Sequence, residues 1–182
     1  MSKRYSAFTL VEMLIVMGIL IILMAVGITA GRFAINRAND VAHQNAADQI
    51  YTAMQAYYTD HREFPEITNF GTAMAVDGAL NPYMGDGEFT GGTDATFYYW
   101  RSTLGQSILI CVSKGGLEDE TGRGYYCTGN AFGAASDEAT GITTKDVEAN
   151  DTGAPKTPSG GTVTFDLTQD WNGSDSVWVN PV

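Results

Sequence analysis

Cysteine and histidine are scarce in this chain, with two of each among 182 residues. A zinc site of four Cys or His ligands would need nearly all of them, and they lack the required spacing. The G-x-S-x-G, H-E-x-x-H and P-loop motifs are also absent from the sequence. We therefore expect a protein that is not an enzyme and that has no obligatory cofactor.

Positive charge is also in short supply. Ten Lys and Arg stand against twenty-one Asp and Glu, which gives a formal charge of −11 at pH 7. A chain this acidic repels the phosphate backbone, so nucleic acid is not expected as a general ligand. The length leaves room for one ordinary domain with an appendage.

Charged residues are nearly missing from one stretch near the N-terminus. Residues 1–7 form a short basic segment that contains Lys3 and Arg4. Between Phe8 and Gly31, the only charged residue is Glu12. A membrane span needs about 20 apolar residues at a rise of about 1.5 Å each. Residues 8–31 are therefore predicted to form a transmembrane helix, and the basic residues ahead of it favour a cytoplasmic N-terminus.

Three interpretations of this stretch compete. The first is a secretory signal peptide that is cleaved after Ala30, and the second is a plain N-terminal anchor. In the third, Glu12 has a function of its own within the segment. A carboxylate inside a hydrocarbon segment costs about 2.5–3.5 kcal/mol on insertion scales, and such residues usually have a partner that neutralises them. In a signal peptide or a plain anchor, this unfavourable free energy of insertion would serve no function.

The segment Phe8–Glu12, Phe-Thr-Leu-Val-Glu, follows a basic leader and precedes an apolar run. In this it resembles the processing motif of type IV prepilins, which pilins share with the pseudopilins of type II secretion. The resemblance implies that a membrane peptidase cuts between Ala7 and Phe8 and that the new Phe8 amine is N-methylated. It also implies that Glu12 pairs with the N-terminal amine of a neighbouring subunit. The chain departs from the family at Ala7, where Gly is usual, and in lacking a proline in the anchor.

The helical pattern continues beyond the apolar stretch. Neither Pro nor Gly occurs between Arg32 and Glu63, and Pro65 disfavours a helical backbone at Phe64. We therefore predict one helix over residues 10–60, and we expect His43 and His61 to be solvated or capping side chains. The predicted apolar stripe of its second half consists of Ala38, Val41, Ala42, Ala46, Ile50, Met54 and Tyr57.

The remainder of the chain is rich in Gly, Thr, Asp and aromatic residues, which indicates strands and turns. The predicted organisation is a cleaved leader (1–7), a transmembrane and assembly helix (8–31), its amphipathic continuation (32–64) and a β-rich head (65–182). The fold class is α+β, with the long N-terminal helix packed against a small antiparallel sheet. The predicted strands are Thr96–Arg101, Ser107–Val112, Gly124–Thr128, Thr162–Thr168 and Ser176–Val179.

Cys111 and Cys127 lie in two of these neighbouring strands. Behind a membrane span they would be outside the cytoplasm, where oxidation is possible, and many members of the pilin family have one disulfide in the head. We predict a disulfide between them. The alternative is a pair of free buried thiols in a compartment without oxidants.

Two weaker signals lie in the head. Asp170, Asn172 and Asp175 surround a predicted glycine turn, and oxygen ligands of this kind bind calcium, which makes them a candidate calcium site. The resemblance to major pseudopilins, which hold calcium in the C-terminal part of the head, points the same way. Asn150 and Asn172 each begin an N-x-S/T acceptor and are candidate glycosylation sites.

These observations lead to one expected function and two alternatives. The first is a pilus-like filament subunit for adhesion, motility or DNA uptake, inserted in the cytoplasmic membrane as a precursor and then built into an extracellular or periplasmic homo-oligomer. Its expected partners are a prepilin peptidase and N-methyltransferase, an inner-membrane assembly platform, and lipid before assembly. The alternatives are a type II secretion pseudopilin and a tethered or secreted binding module that does not polymerise.

The mature N-terminus separates the pilin and the pseudopilin, which share the processing motif, from the binding module. We predict that the native protein begins at Phe8 and carries one additional methyl group on its amine, because the peptidase cuts after Ala7. Intact-mass measurement of purified native protein checks this. A chain that begins at Gly31 would instead identify a signal peptide.

Overall fold

The structure is a computed structural model of the 182-residue chain. It describes residues 9–68, 70, 73, 78–85, 95–114, 124–132, 142, 145–148 and 155, and the backbone of residues 167–172 and 177–179. The chain forms two compact units, Met1–Arg37 and Ala38–Val182.

One helix, α1, extends from Leu10 to His61 over 52 residues. This confirms the predicted helix to within one residue at its C-terminal end. The helix stops because Arg62 has a left-handed backbone (φ 64°), while its N–H still donates to the Tyr58 carbonyl at 2.8 Å. A left-handed residue just after the last turn is a common helix stop.

The first unit contains the apolar part of α1. Every large apolar side chain from Leu10 to Ile35 is at least 48 % exposed. This part of the helix is long and apolar enough to cross a membrane. A helix that is apolar on all sides needs lipid or other protein around it.

Among the residues that the structure describes, the second unit contains one antiparallel sheet of six strands in the order β4-β3-β2-β1-β5-β6. The two edge strands are short, with two residues in β4 and three in β6, which limits unwanted pairing at the sheet edges. The helix and sheet together confirm the α+β class. The strands are β1 (Ala95–Arg101), β2 (Ile108–Ser113), β3 (Tyr125–Gly129), β4 (Asp146–Val147), β5 (Leu167–Asn172) and β6 (Val177–Val179).

The main core lies between α1 and one face of the sheet. Its helix residues include Ala46, Ala47, Ile50 and Met54, and its strand residues include Phe97, Tyr99, Ile108, Ile110, Val112 and Tyr126. The predicted stripe is thus correct from Ala46 onward. It is wrong before that point, because Ala38, Val41 and Ala42 are exposed whereas Asp40 and His43 are buried. A straight helix presents one face every three or four residues, and counting back from Ala46 and Ala47 leads to His43 and Asp40.

The expectation that His43 is solvated is therefore wrong. His43 is fully buried, and its Nδ1 lies 2.7 Å from the Ser113 carbonyl oxygen. A carbonyl can only accept, so Nδ1 donates this hydrogen bond. The Ser113 hydroxyl oxygen in turn accepts the Thr96 N–H at 2.9 Å. These bonds allow a polar ring into the core and fasten α1 to β2.

His61 lies at the exposed C-terminal end of the helix. Its ring stacks on Tyr57 with centroids 3.9 Å apart, and its Nδ1 lies 3.1 Å from the Tyr57 carbonyl oxygen. A basic side chain that donates to a carbonyl of the last turn caps the helix. This matches the capping interpretation of His61.

The segment after α1 is fastened to the β1–β2 hairpin. The Arg101 guanidinium donates from Nε to the Phe64 carbonyl at 2.8 Å, and the Phe64 N–H donates to the Gly105 carbonyl at 2.8 Å. The Tyr99 hydroxyl donates to the Pro65 carbonyl at the same distance. Gly105 has φ 66°, a left-handed backbone conformation that favours glycine.

A second apolar cluster includes Trp100, Leu109, Tyr125 and both cysteines. Cys111 lies directly opposite Cys127 in the β2–β3 register. The Cys127 N–H donates to the Lys145 carbonyl instead of to β2, so the two cysteines form a non-hydrogen-bonded pair, the type in which facing side chains approach most closely. The two are joined as a disulfide with a Cα–Cα distance of 4.0 Å, which confirms the predicted bond.

The sequence places β6 correctly, since Val177–Val179 lies within the predicted Ser176–Val179, but it places β5 less well. A turn was predicted over residues 170–175, but Asp170, Trp171 and Asn172 belong to β5. Asp170 pairs with Thr96 of β1 on one side and with Val179 of β6 on the other. Pairing on both sides overrides the turn preference of Asp and Asn. Residues 162–166 of the predicted fourth strand lie outside the described residues.

The disulfide generates a prediction about the head. Cys111→Ser and Cys127→Ser should each lower its free energy of unfolding by about 3 kcal/mol, because the bond closes a loop of about 15 residues in the unfolded chain. Denaturant unfolding of the detergent-solubilised protein under oxidising conditions measures this. Wild-type protein treated with reductant is the matched control, since it loses the bond without a substitution. Equal stability with and without reductant would contradict the prediction.

Candidate assembly site

Two side chains close the N-terminal end of α1. The Glu12 Oε2 accepts the Thr9 backbone N–H at 2.9 Å and the Thr9 hydroxyl at 2.8 Å. In return, Thr9 Oγ1 accepts the Glu12 backbone N–H at 3.2 Å. Because α1 begins at Leu10, Thr9 is the N-cap and Glu12 the third helical residue. This reciprocal arrangement is a capping box.

The capping box satisfies backbone donors that have no partner inside the helix. In hydrocarbon an unsatisfied N–H group costs several kcal/mol, so a cap matters more there than in water. The carboxylate also lies at the positive end of the helix dipole. None of the atoms involved belongs to residues 1–8, so removal of a leader leaves the cap intact.

The sequence predicts Glu12 as a partner for another chain, and the structure adds a role within its own helix. The Thr-x-x-Glu spacing directly before an apolar run was the available signal. Ala7 and Phe8, the predicted cleavage and methylation residues, lie outside the described residues.

The surroundings of Glu12 are apolar and exposed. It is the only charged residue from Leu10 to Gly31. Both of its side-chain hydrogen bonds go to Oε2, so Oε1 has none among the described residues, and no described cation pairs with the carboxylate. The site therefore offers a carboxylate oxygen with hydrogen-bonding capacity to a donor from outside this chain.

The polar networks of the head have a different character. The Tyr126 hydroxyl donates to Asp48 of α1 at 3.1 Å, and the Lys145 ammonium donates to the Tyr126 hydroxyl at 3.2 Å. Burial is the main reason why the pKa of Tyr126 is raised, and the hydrogen bond from Lys145 opposes the shift. The same bond to Tyr126 is the main reason why the pKa of Lys145 is raised. This network joins the helix to β3.

Asp40, His43 and Ser113 are buried residues of the types found in hydrolytic triads. The His43 ring, however, bonds the Ser113 main-chain oxygen, and the Ser113 hydroxyl accepts from Thr96. A triad needs the imidazole next to the hydroxyl as its base. The arrangement is therefore that of structural hydrogen bonds, and His43 does not activate Ser113.

The predicted metal and modification residues are only partly described. No group of three or more His, Cys, Asp and Glu residues in the described ranges could hold a metal ion. Asp170 and Asn172 lie in β5, whereas Asp175 and Asn150 lie outside the described residues. The calcium site and the two glycosylation sites stay predictions.

Comparison with known proteins bears on the N-terminal end of the chain. Residues 2–28 match the family model described as the prokaryotic N-terminal methylation motif. No curated protein and no solved structure was found to match the chain.

The matched motif is the prepilin-like signature of type IV pilins and pseudopilins. It supports a pilin-like or pseudopilin-like subunit that is secreted and assembled. It implies processing by a prepilin peptidase and assembly into a pilus-like filament. With the apolar helix, it also supports membrane insertion before that assembly. Proteins with this motif are structural and generally not enzymes.

The cap generates a prediction about the start of the helix. Thr9→Ala removes the capping hydroxyl and should destabilise the first turn of α1 by about 1 kcal/mol. Amide hydrogen exchange over residues 10–14 in detergent micelles should then be faster than in the wild type. Thr9→Ser, which retains the hydroxyl, is the matched control and should exchange like the wild type. Identical exchange in all three proteins would show that the hydroxyl does not cap the helix.

Proposed function

We propose that this chain is a structural subunit of a type IV pilus-like filament, assembled through its N-terminal helix after a prepilin peptidase removes residues 1–7. One observation carries the proposal. A single carboxylate, Glu12, lies at the capped start of an exposed helix that is otherwise uncharged to Gly31, within the match to the methylation motif.

The energetics of Glu12 change between membrane and filament. In lipid, a carboxylate costs about 2.5–3.5 kcal/mol at the middle of a spanning helix and less towards the helix ends, where Glu12 lies. The capping box satisfies neighbouring backbone groups but leaves the negative charge. Cleavage before Phe8 creates an amine that is positively charged when protonated. Bringing that amine to the Glu12 carboxylate of another copy removes two unpaired charges from the low-dielectric environment at once.

This pairing also gives the apolar helices a specific polar contact. Apolar side chains gain little hydrophobic energy by moving from lipid to another apolar helix, so packing and polar contacts must select the partner and its register. One carboxylate in each helix gives one such contact for each pair of neighbouring copies. Identical subunits joined through a head-to-tail contact that does not close form an open helical polymer.

Several partners follow from this proposal. A prepilin peptidase cuts the precursor and methylates Phe8, and an inner-membrane platform adds subunits to the filament. Lipid surrounds the helix before assembly. The mature filament serves adhesion, motility or DNA uptake. The acidic head disfavours direct contact between DNA and most of the filament surface.

A type II secretion pseudopilin is the second candidate. The disulfide between Cys111 and Cys127 favours a pilin, because a head disulfide is common there. The residues Asp170, Asn172 and Asp175 favour a pseudopilin, whose head keeps calcium near its C-terminus. A tethered or secreted binding module that does not polymerise is the third candidate, and it gives Glu12 no function beyond the cap.

The proposal is tested at Glu12. Glu12→Gln removes the charge but keeps an oxygen that can accept the Thr9 N–H, since Gln also serves in capping boxes. We expect this variant to insert in the membrane at least as well as the wild type and to form few or no filaments. Electron microscopy of cells and the filament fraction sheared from them measure the result. Glu12→Ala should have the same effect.

Two controls separate charge from capping. Thr9→Ala weakens the cap but keeps the carboxylate, so it should still assemble to a measurable extent. Immunoblots of membrane fractions show whether each variant is inserted and processed. Normal filaments from the Glu12→Gln variant would contradict the pairing role, and the absence of filaments from the wild type would contradict the proposed function itself.

A further inference from the structure

Positive and negative charge are separated along this chain. Residues 38–182 contain six Lys and Arg against twenty Asp and Glu, a formal charge of −14. Residues 8–37 contain Arg32 and Arg37 and a single acid, Glu12. Both arginines are exposed on α1, and neither has an ion-pair partner among the described residues.

The acidic second unit creates a difficulty for a polymer of this chain. Copies packed side by side bring units of charge −14 together, and like charges oppose compact association. Salt screens this repulsion only beyond a Debye length of about 10 Å at 0.1 M ionic strength. Cations supplied by the neighbouring copies would offset the repulsion at the points of contact.

The axial offset between neighbouring helices in the proposed filament determines which residues lie beside Arg32 and Arg37. If Glu12 of one copy meets the Phe8 amine of the next, the two helices are offset by four residues, or about 6 Å along the axis. Residues 36–41 of one copy then lie at the level of residues 32–37 of the other. In each further copy along the filament, residues later in the chain lie at the level of residues 32–37. The arginines of each copy therefore lie at the level where its neighbours' second units begin.

We propose that Arg32 and Arg37 form a basic docking patch that binds the acidic second unit, residues 38–182, of neighbouring copies. This inference rests on the proposed function, because the register comes from filament assembly. Guanidinium groups suit the role, since each presents several donors in a planar fork that matches a carboxylate. Lipid phosphate is the competing ligand before assembly, and the test distinguishes it from the second copy.

The experiment compares charge variants at the two positions. In the double variant Arg32→Gln and Arg37→Gln, the subunit pool in equilibrium with purified filaments should rise about two- to thirty-fold, the range for two exposed ion pairs. Arg32→Lys with Arg37→Lys keeps both charges and should stay close to the wild type. Arg62→Gln, which removes an exposed arginine beyond the helix end, is the matched control and should have no effect.

Ionic strength gives an independent measurement. Raising NaCl from about 0.1 M to about 1 M shortens the Debye length to about 3 Å. Salt also screens the repulsion between the acidic units, in the wild type and the Gln variant alike, so the difference between the two proteins is what tests the patch. That difference should shrink at about 1 M NaCl, because only the wild type has arginine contacts to lose. Subunit remaining in the supernatant after ultracentrifugation is the quantity measured in both series.

Each outcome decides the inference. Equal subunit pools for the Gln variant and the wild type would overturn the docking patch while leaving the proposed filament intact. A Gln variant that is lost from the membrane fraction before processing would assign the arginines to lipid phosphate instead. A wild type that forms no filaments would overturn the proposed function and this inference with it.

Discussion

The carboxylate of Glu12 is the constraint on which the proposed assembly depends. It lies in a helix that is otherwise uncharged to Gly31, and its two side-chain hydrogen bonds both go to Thr9. These bonds complete the first turn of the helix but do not neutralise the charge. A membrane-inserted chain would therefore hold an anion without its counter-charge, and in the proposed filament an amine from another copy would remove that cost. The proposed assembly thus depends on a single residue of the apolar segment.

The described core residues of the second unit lie outside the apolar segment. Ala46, Ile50 and Met54 of α1 pack against one face of the sheet, and a second cluster contains the disulfide. His43 fastens the helix to β2, while Arg101 holds the segment that follows the helix. The proposed transfer of the N-terminal segment from lipid to protein therefore leaves these contacts in place.

The parts of this structure that the sequence predicts well depend on local signals. The helix follows from an apolar pattern without Pro or Gly, and the cysteine pair follows from two strong neighbouring strands. The burial of His43 and the inclusion of Asp170 in β5 depend on partners distant in the sequence, which single-chain patterns do not reveal. The capping role of Glu12 is a different case, because its Thr-x-x-Glu signal is local and was readable. A charge inside an apolar segment also predicts a partner in another chain, and that prediction does not include the cap.

Capping and pairing at Glu12 are compatible because they use different atoms. Oε2 accepts both bonds from Thr9, which leaves Oε1 able to accept from an ammonium group of another copy. An ionised carboxylate has about four lone-pair sites, so a third hydrogen bond does not displace the first two. The proposed pairing therefore does not require the start of the helix to unwind. In that proposal Thr9 is a positioning residue, since its bonds hold the carboxylate at the helix end.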